Sequence, residues 1–119
     1  MSERQLRRQG LVRFDFLAGA LPGRAAPTDI DLMLEHNGHF LFLEGKRPGQ
    51  SMPNGQRLAL ERLLALSTPT HSVHVLVIVG HPPDEIVGAT WWGGPVQTPL
   101  SCEGVRKLVR LWWEWAERQ

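Results

Sequence analysis

Three residues in the first half of the chain have types and spacing suited to metal-assisted chemistry: Asp31, Glu44 and Lys46. Side chains alternate across an extended strand, so Glu44 and Lys46 project to one face, and Asp29 and Asp31 likewise share a face. Between the two groups lies Asn37-Gly38, flanked by apolar runs, the strongest short-range signal for a two-residue hairpin. Folding the chain there sets position 31 roughly opposite positions 44 to 46. A carboxylate from each strand, with a lysine beside them and Phe42 and Leu43 behind, is a poor structural arrangement unless something binds there. Hard oxygen donors in this number suit Mg²⁺ or Mn²⁺, which keeps several waters and takes phosphate oxygens as further ligands. Such an ion polarises phosphorus and lowers the pKa of an attacking water. Lys46 would orient that water or stabilise developing negative charge. The competing reading is a solvated Glu/Lys pair at a strand end, which is worth little energy.

The elements that must position these residues follow from hydrophobic period and breaker residues. Ile30 to Lys46 reads as a β-hairpin. After the connector Arg47 to Pro53, Asn54 is placed to cap a helix with the apolar face Leu60, Leu63 and Leu64, stopping before Pro69. Gln56 falls on that same face at i, i+4, i+7 spacing with Leu60 and Leu63, so it points toward the sheet, where a polar group needs a partner. Its assigned role is to position water or a metal ligand; the alternative is an ordinary polar first-turn residue. Val73 to Val79 is almost wholly apolar and rich in β-branched residues, as in a central strand covered on both faces. Ile86 to Trp92 reads as a further strand. Ser101 is placed to cap a long helix with the stripe Val105, Leu108, Val109, Trp112, Trp115 and Ala116. Upstream, Leu11 to Leu17 alternates as a first strand, preceded by a short polar helix around Glu3 to Arg8. The expected fold is a single α/β domain over residues 1–119, a central mixed β-sheet flanked by helices.

The segment Pro27-Thr28-Asp29-Ile30-Asp31, followed by Phe42-Leu43-Glu44-Gly45-Lys46, resembles the PD-(D/E)XK nuclease superfamily. The signature of that superfamily is an acidic residue at the start of one strand and E-x-K at the end of the next. Gly55-Gln56 resembles the helical glutamine of several members, including the VRR-NUC and Holliday-junction-resolvase-like groups. The resemblance covers roughly residues 11–80. It implies a restriction-endonuclease-like core and Mg²⁺- or Mn²⁺-dependent hydrolysis of phosphodiester bonds in DNA, with Asp31, Glu44, Lys46 and Gln56 as catalytic residues. Asp31, Glu44 and Asp29 would be the metal ligands. The proline stands two places before Asp29, so either Asp29 or Asp31 is the principal ligand. Glu3 is the candidate for the first-helix glutamate that some members carry. A nuclease acting on RNA, or a non-catalytic binding or assembly module that keeps the fold, are the alternatives.

Composition bounds the remaining classes. At 119 residues with 42% hydrophobic content, the chain fits one core. Lys and Arg total 13 against 12 for Asp and Glu, so the net charge of +1 by itself argues for no polyanionic partner. The distribution says more. Arg4, Arg7, Arg8, Arg13 and Arg24 face only Glu3 and Asp15 in the first 24 residues, whereas Asp29, Asp31, Glu35 and Glu44 follow without an intervening Lys or Arg. Arg7, Arg8, Arg13 and, beyond the hairpin, Arg47 are therefore assigned to DNA contact; the alternative is a solvated basic segment. The single Cys102 has no thiol partner for a disulfide or zinc cluster, which suits a reducing, cytoplasmic compartment. No signal peptide and no membrane span is expected.

Histidines and tryptophans divide by position. His36-Asn37-Gly38-His39 lacks the downstream asparagine and histidine of a ββα-metal nuclease, and His71, His74 and His81 are expected to be satisfied or exposed rather than zinc ligands. Trp112 and Trp115 belong to the helix stripe. Trp113 shares another face with Arg106 and Arg110, a basic-aromatic strip suited to nucleic acid or to ordinary surface packing. Leu111 and Trp113, set beside Trp91 and Trp92, would leave an apolar patch whose burial predicts a homodimer.

Overall fold

The computed structural model describes residues 15–17, 19–23, 30–94, 96–97 and 101–119. Asp15–Leu17 forms a short 3-10 turn, so the end of the stretch read as a first strand is not extended. The rest of that stretch, the polar helix around Glu3 to Arg8, and the residues Arg7, Arg8, Arg13 and Asp29 lie outside the described residues.

The hairpin forms where the sequence places it. Strand β1 (Leu32–His36) returns as β2 (His39–Lys46) through Asn37 and Gly38, whose φ angles of 54° and 85° are the left-handed pair that a type I′ turn demands. The register Leu32↔Leu43 through His36↔His39 is antiparallel, and continuing it by one step sets Asp31 opposite Glu44. Helix α1 (Asn54–Leu64) carries the chain over to β3 (Val73–His81), which pairs parallel to β2, as a crossover connection requires. Asn54 is the first helical residue rather than the cap: Pro53 occupies that position and no side chain caps the helix. Strand β4 (Glu85–Trp91) returns antiparallel to β3, and β5 (Val96–Gln97), which the sequence pattern did not reveal, adds a two-residue edge. The sheet order is β1-β2-β3-β4-β5. The final helix α2 (Cys102–Glu117) begins at Ser101, whose hydroxyl accepts from the Gly104 amide at 3.2 Å.

Period two divides the strands between two helices. Leu41, Leu43, Leu76, Ile86 and Ala89 pack on α2 through Val105, Trp112 and Ala116, with Leu108, Val109 and Trp115 partly buried around them. On the opposite face Phe42 and Val75 pack against Leu60 of α1, supported by Leu63 and Leu64. Strand β3 is thus covered from both sides, as its almost wholly apolar run requires. The result is a small three-layer α/β domain.

The ends of the sheet are tied down by polar contacts. Asn37 Nδ2 donates to the carbonyls of Ala116 and Gln119 at 3.1 and 3.0 Å, joining the hairpin turn to the last turn of α2. At the other end of that helix the Cys102 thiol donates to the Pro83 carbonyl at 3.1 Å. Gly80, at the irregularity where β3 shifts register against β4, has φ +147°, and a Cβ there would stand 2.5 Å from the Glu85 carbonyl oxygen. Only glycine fits that close approach.

Candidate active site

Glu44 and Lys46 leave β2 on its α1-facing side, the side of Phe42, because they share its parity. There the structure departs from a solvated strand end. Lys46 Nζ lies 2.9 Å from Glu44 Oε1, with the two side chains only 10% and 9% exposed. Gln56, in the first turn of α1, turns inward as its spacing predicts and accepts from Lys46 Nζ at 2.8 Å. An ammonium has three donors, and two are committed here. Asp31 is exposed and lies just before β1, where its Oδ2 accepts from the Gly45 amide at 2.8 Å. That bond takes over from the ladder where β1 begins and fixes the carboxylate beside the Glu44–Lys46 segment. Directly opposed residues of an antiparallel pair have Cβ atoms about 5 Å apart. By the continued register Asp31 stands across the hairpin from Glu44, whose carboxylate lies with Lys46 and Gln56.

Beside this group opens a cleft of about 300 Å³ lined by Gly45, Lys46, Arg47, Gln50, Gly80, His81 and Pro82. Parallel pairing of Lys46 with Val79 is what brings the β3 end next to the β2 end. Arg47 is exposed at the rim, and its amide donates to Gln50 Oε1 at 2.9 Å, which shapes the loop after β2. Gln50 carries no signal in the sequence, and His81 reads there only as a satisfied or exposed histidine. Their proximity depends on the β2–β3 register, which no local pattern encodes.

No family model, characterised protein or solved structure matches this chain.

The residues themselves therefore decide what the group can hold. Among the described residues no three His, Cys, Asp or Glu side chains converge. Asp31 and Glu44 together supply two carboxylates, one oxygen of each engaged by Gly45 or Lys46. Mg²⁺ is bound through one or two carboxylates plus water and substrate oxygens, so this donor set fits a hard divalent cation and does not fit zinc.

A second polar cluster lies at the far end of the sheet. His39, 1% exposed, has Nδ1 2.6 Å from Ser72 Oγ, which is 2.7 Å from His74 Nε2. Trp115 closes on both rings edge-on, at 4.9 and 5.1 Å between centroids. Burial, and secondarily the neighbouring His39, hold the His74 pKa below the usual imidazole value. His74 is thus satisfied within the fold, as expected, and so is His39. Cys102, bonded to Pro83, is not a ligand partner of His74.

The tryptophans require a correction. Trp91 packs with the α2-side core and Trp92 with the α1-side core, so they lie on opposite faces of the sheet. Trp113 instead stacks on His36 of β1, with ring centroids 3.7 Å apart and planes 9° from parallel. The continuous Leu111-Trp113-Trp91-Trp92 patch on which a homodimer was expected does not exist. The physical reason is strand alternation: consecutive residues at the end of β4 go to different faces.

Proposed function

We propose that this chain is a metal-dependent nuclease that hydrolyses DNA phosphodiester bonds, with a core of the restriction-endonuclease-like kind. The observation that carries the reading is the convergence of Lys46 with Glu44 and Gln56 on one face, next to Asp31 anchored across the hairpin. A buried lysine held by both a carboxylate and a carboxamide is an expensive way to end a strand, since desolvating the pair offsets much of its attraction. It is a direct way to aim one ammonium.

In this reading Asp31 and Glu44 would hold one Mg²⁺ or Mn²⁺, with Asp29 as a supporting ligand. The ion supplies Lewis-acid polarisation of a phosphate oxygen when bound. The chain's own groups do the rest. Glu44 and Gln56 fix Lys46 Nζ and leave it one free donor for a phosphate oxygen or the attacking water. Arg47 and His81 at the cleft rim meet the flanking phosphates, Arg47 by charge and His81 by hydrogen bonding. Arg7, Arg8 and Arg13 are proposed as further DNA contacts on the charge pattern of the sequence alone.

The rival is a non-catalytic module. It is favoured by the absence of a third converging donor among the described residues and by the prior engagement of Glu44 with Lys46. Titration calorimetry with Mn²⁺ separates the two, because the nuclease binds the ion and the module does not. Incubation with plasmid, single-stranded, branched and RNA substrates in Mg²⁺ or Mn²⁺ then tests the reaction. Glu44→Gln is expected to remove cleavage by at least about a hundredfold, and wild-type rates in that variant would end the proposal.

A further inference from the structure

The α2 helix carries a groove that the proposed chemistry does not use. It is lined by Val105, Arg106, Val109, Arg110 and Trp113, with a volume of about 370 Å³. Its floor is apolar and its rim is basic. Arg106 is bridged to Glu103 at 3.0 Å, while Arg110 makes no ion pair among the described residues. Trp113 is 40% exposed although one ring face is covered by His36. That stack fixes the indole, so a ligand meeting its open side finds a platform already ordered.

Position gives the groove direction. The Cys102–Pro83 bond sets the start of α2 at the end of the sheet where the cleft opens, and the Asn37 bonds set its last turn at the hairpin. From Val105 to Trp113 the groove runs about 12 Å at 1.5 Å per residue. It leads away from the Asp31 end toward His36, about 16 Å along the β1 line, on the side of the sheet opposite to Lys46 and Gln56, so that a strand lying in it reaches the proposed site around the β1 edge.

We infer that this groove binds single-stranded DNA, one base stacking on Trp113 and the adjoining phosphates meeting Arg110 and Arg106. The chemistry selects this occupant. An aromatic platform accepts any base by its π-face, but only where that face is free of its duplex neighbours. The uncompensated arginine supplies the phosphate contact that an apolar peptide would not use. The inference names the substrate class of the nuclease reading and rests on that reading for its choice of ligand.

The test is fluorescence anisotropy of a labelled oligothymidine and a matched duplex against the full chain in EDTA, where cleavage does not enter. Trp113→Leu is expected to weaken single-strand binding about tenfold and to leave duplex binding unchanged, and Trp113→Tyr to restore most of the loss. Arg110→Ala should reduce the slope of log affinity against log salt by about 0.7. Arg110 is exposed, so this second variant remains informative even where Trp113→Leu loosens α2. An unchanged single-strand affinity in both variants overturns the inference. So does a dimer, seen by light scattering, that Trp113→Leu dissociates, since the groove then belongs to a second copy. Trp113-dependent binding without any cleavage in Mg²⁺ or Mn²⁺ supports the groove and rejects the nuclease reading alone.

Discussion

A solvated Glu44/Lys46 pair, the competing reading of the strand end, would let either residue be replaced without loss of stability; the burial of the pair removes that expectation for the lysine. Removing Lys46 leaves a carboxylate shut away with Gln56, and breaking a buried pair from one side costs about 3 kcal/mol or more. Lys46→Ala should therefore unfold at lower urea than wild type, and the double variant Glu44→Gln with Lys46→Met should recover most of the difference. Equal midpoints for Lys46→Ala and wild type would show that the pair is solvated in practice. Asp31 behaves differently. Asparagine at position 31 keeps an oxygen for the Gly45 amide, so Asp31→Asn should fold normally and lose Mn²⁺ binding, whereas Asp29→Asn should only weaken it. The opposite ranking in calorimetry would make Asp29 the principal ligand.

At the scale of elements, α2 is held to the sheet partly through the His39–Ser72–His74 cluster beneath Trp112 and Trp115. The folded-state pKa of His74 is lowered by burial first and by His39 second. The unfolded chain therefore takes up the proton more readily. Stability is complete above the unfolded value near 6.5 and is lost as pH falls from there through the folded pKa, by about 1.4 kcal/mol per unit of depression. Urea midpoints between pH 8 and pH 5 should fall in wild type and fall less in His74→Gln, which keeps a partner for Ser72. A variant with the same pH dependence as wild type would take His74 out of the account.

Across the whole molecule, the first described hairpin and the last helix are linked through Asn37, which reaches residues 79 and 82 positions away in sequence. Glycine in its place still adopts the positive φ of 54° but makes neither bond. Asn37→Gly should cost about 1–2 kcal/mol. Because α2 and the sheet share one core, unfolding followed by far-UV circular dichroism and by tryptophan fluorescence should still coincide. Separate transitions would mean that α2 detaches by itself. Among the described residues no helix is long and apolar enough to cross a membrane.

Local chemistry was legible in the sequence wherever one short segment decides it. Asn37-Gly38 accommodates two positive φ angles, Ser101 offers an oxygen to an unsatisfied amide, and parity sends Glu44 with Lys46 and Gln56 with Leu60. Hence the hairpin, both helices, the buried strand and the placing of Lys46 and Gln56 on facing sides of one layer are legible in the sequence. Failures arose where the outcome depends on distant partners. Pro53 rather than Asn54 precedes α1, β5 needs β4 to exist at all, and Trp113 finds His36 instead of Trp91 or Trp92. The burial of the Glu44–Lys46 pair, the cleft with His81 and the His39–Ser72–His74 cluster follow from the parallel register of β2 on β3. That register is set by how the intervening helix packs, a tertiary free energy to which no single stretch of sequence corresponds.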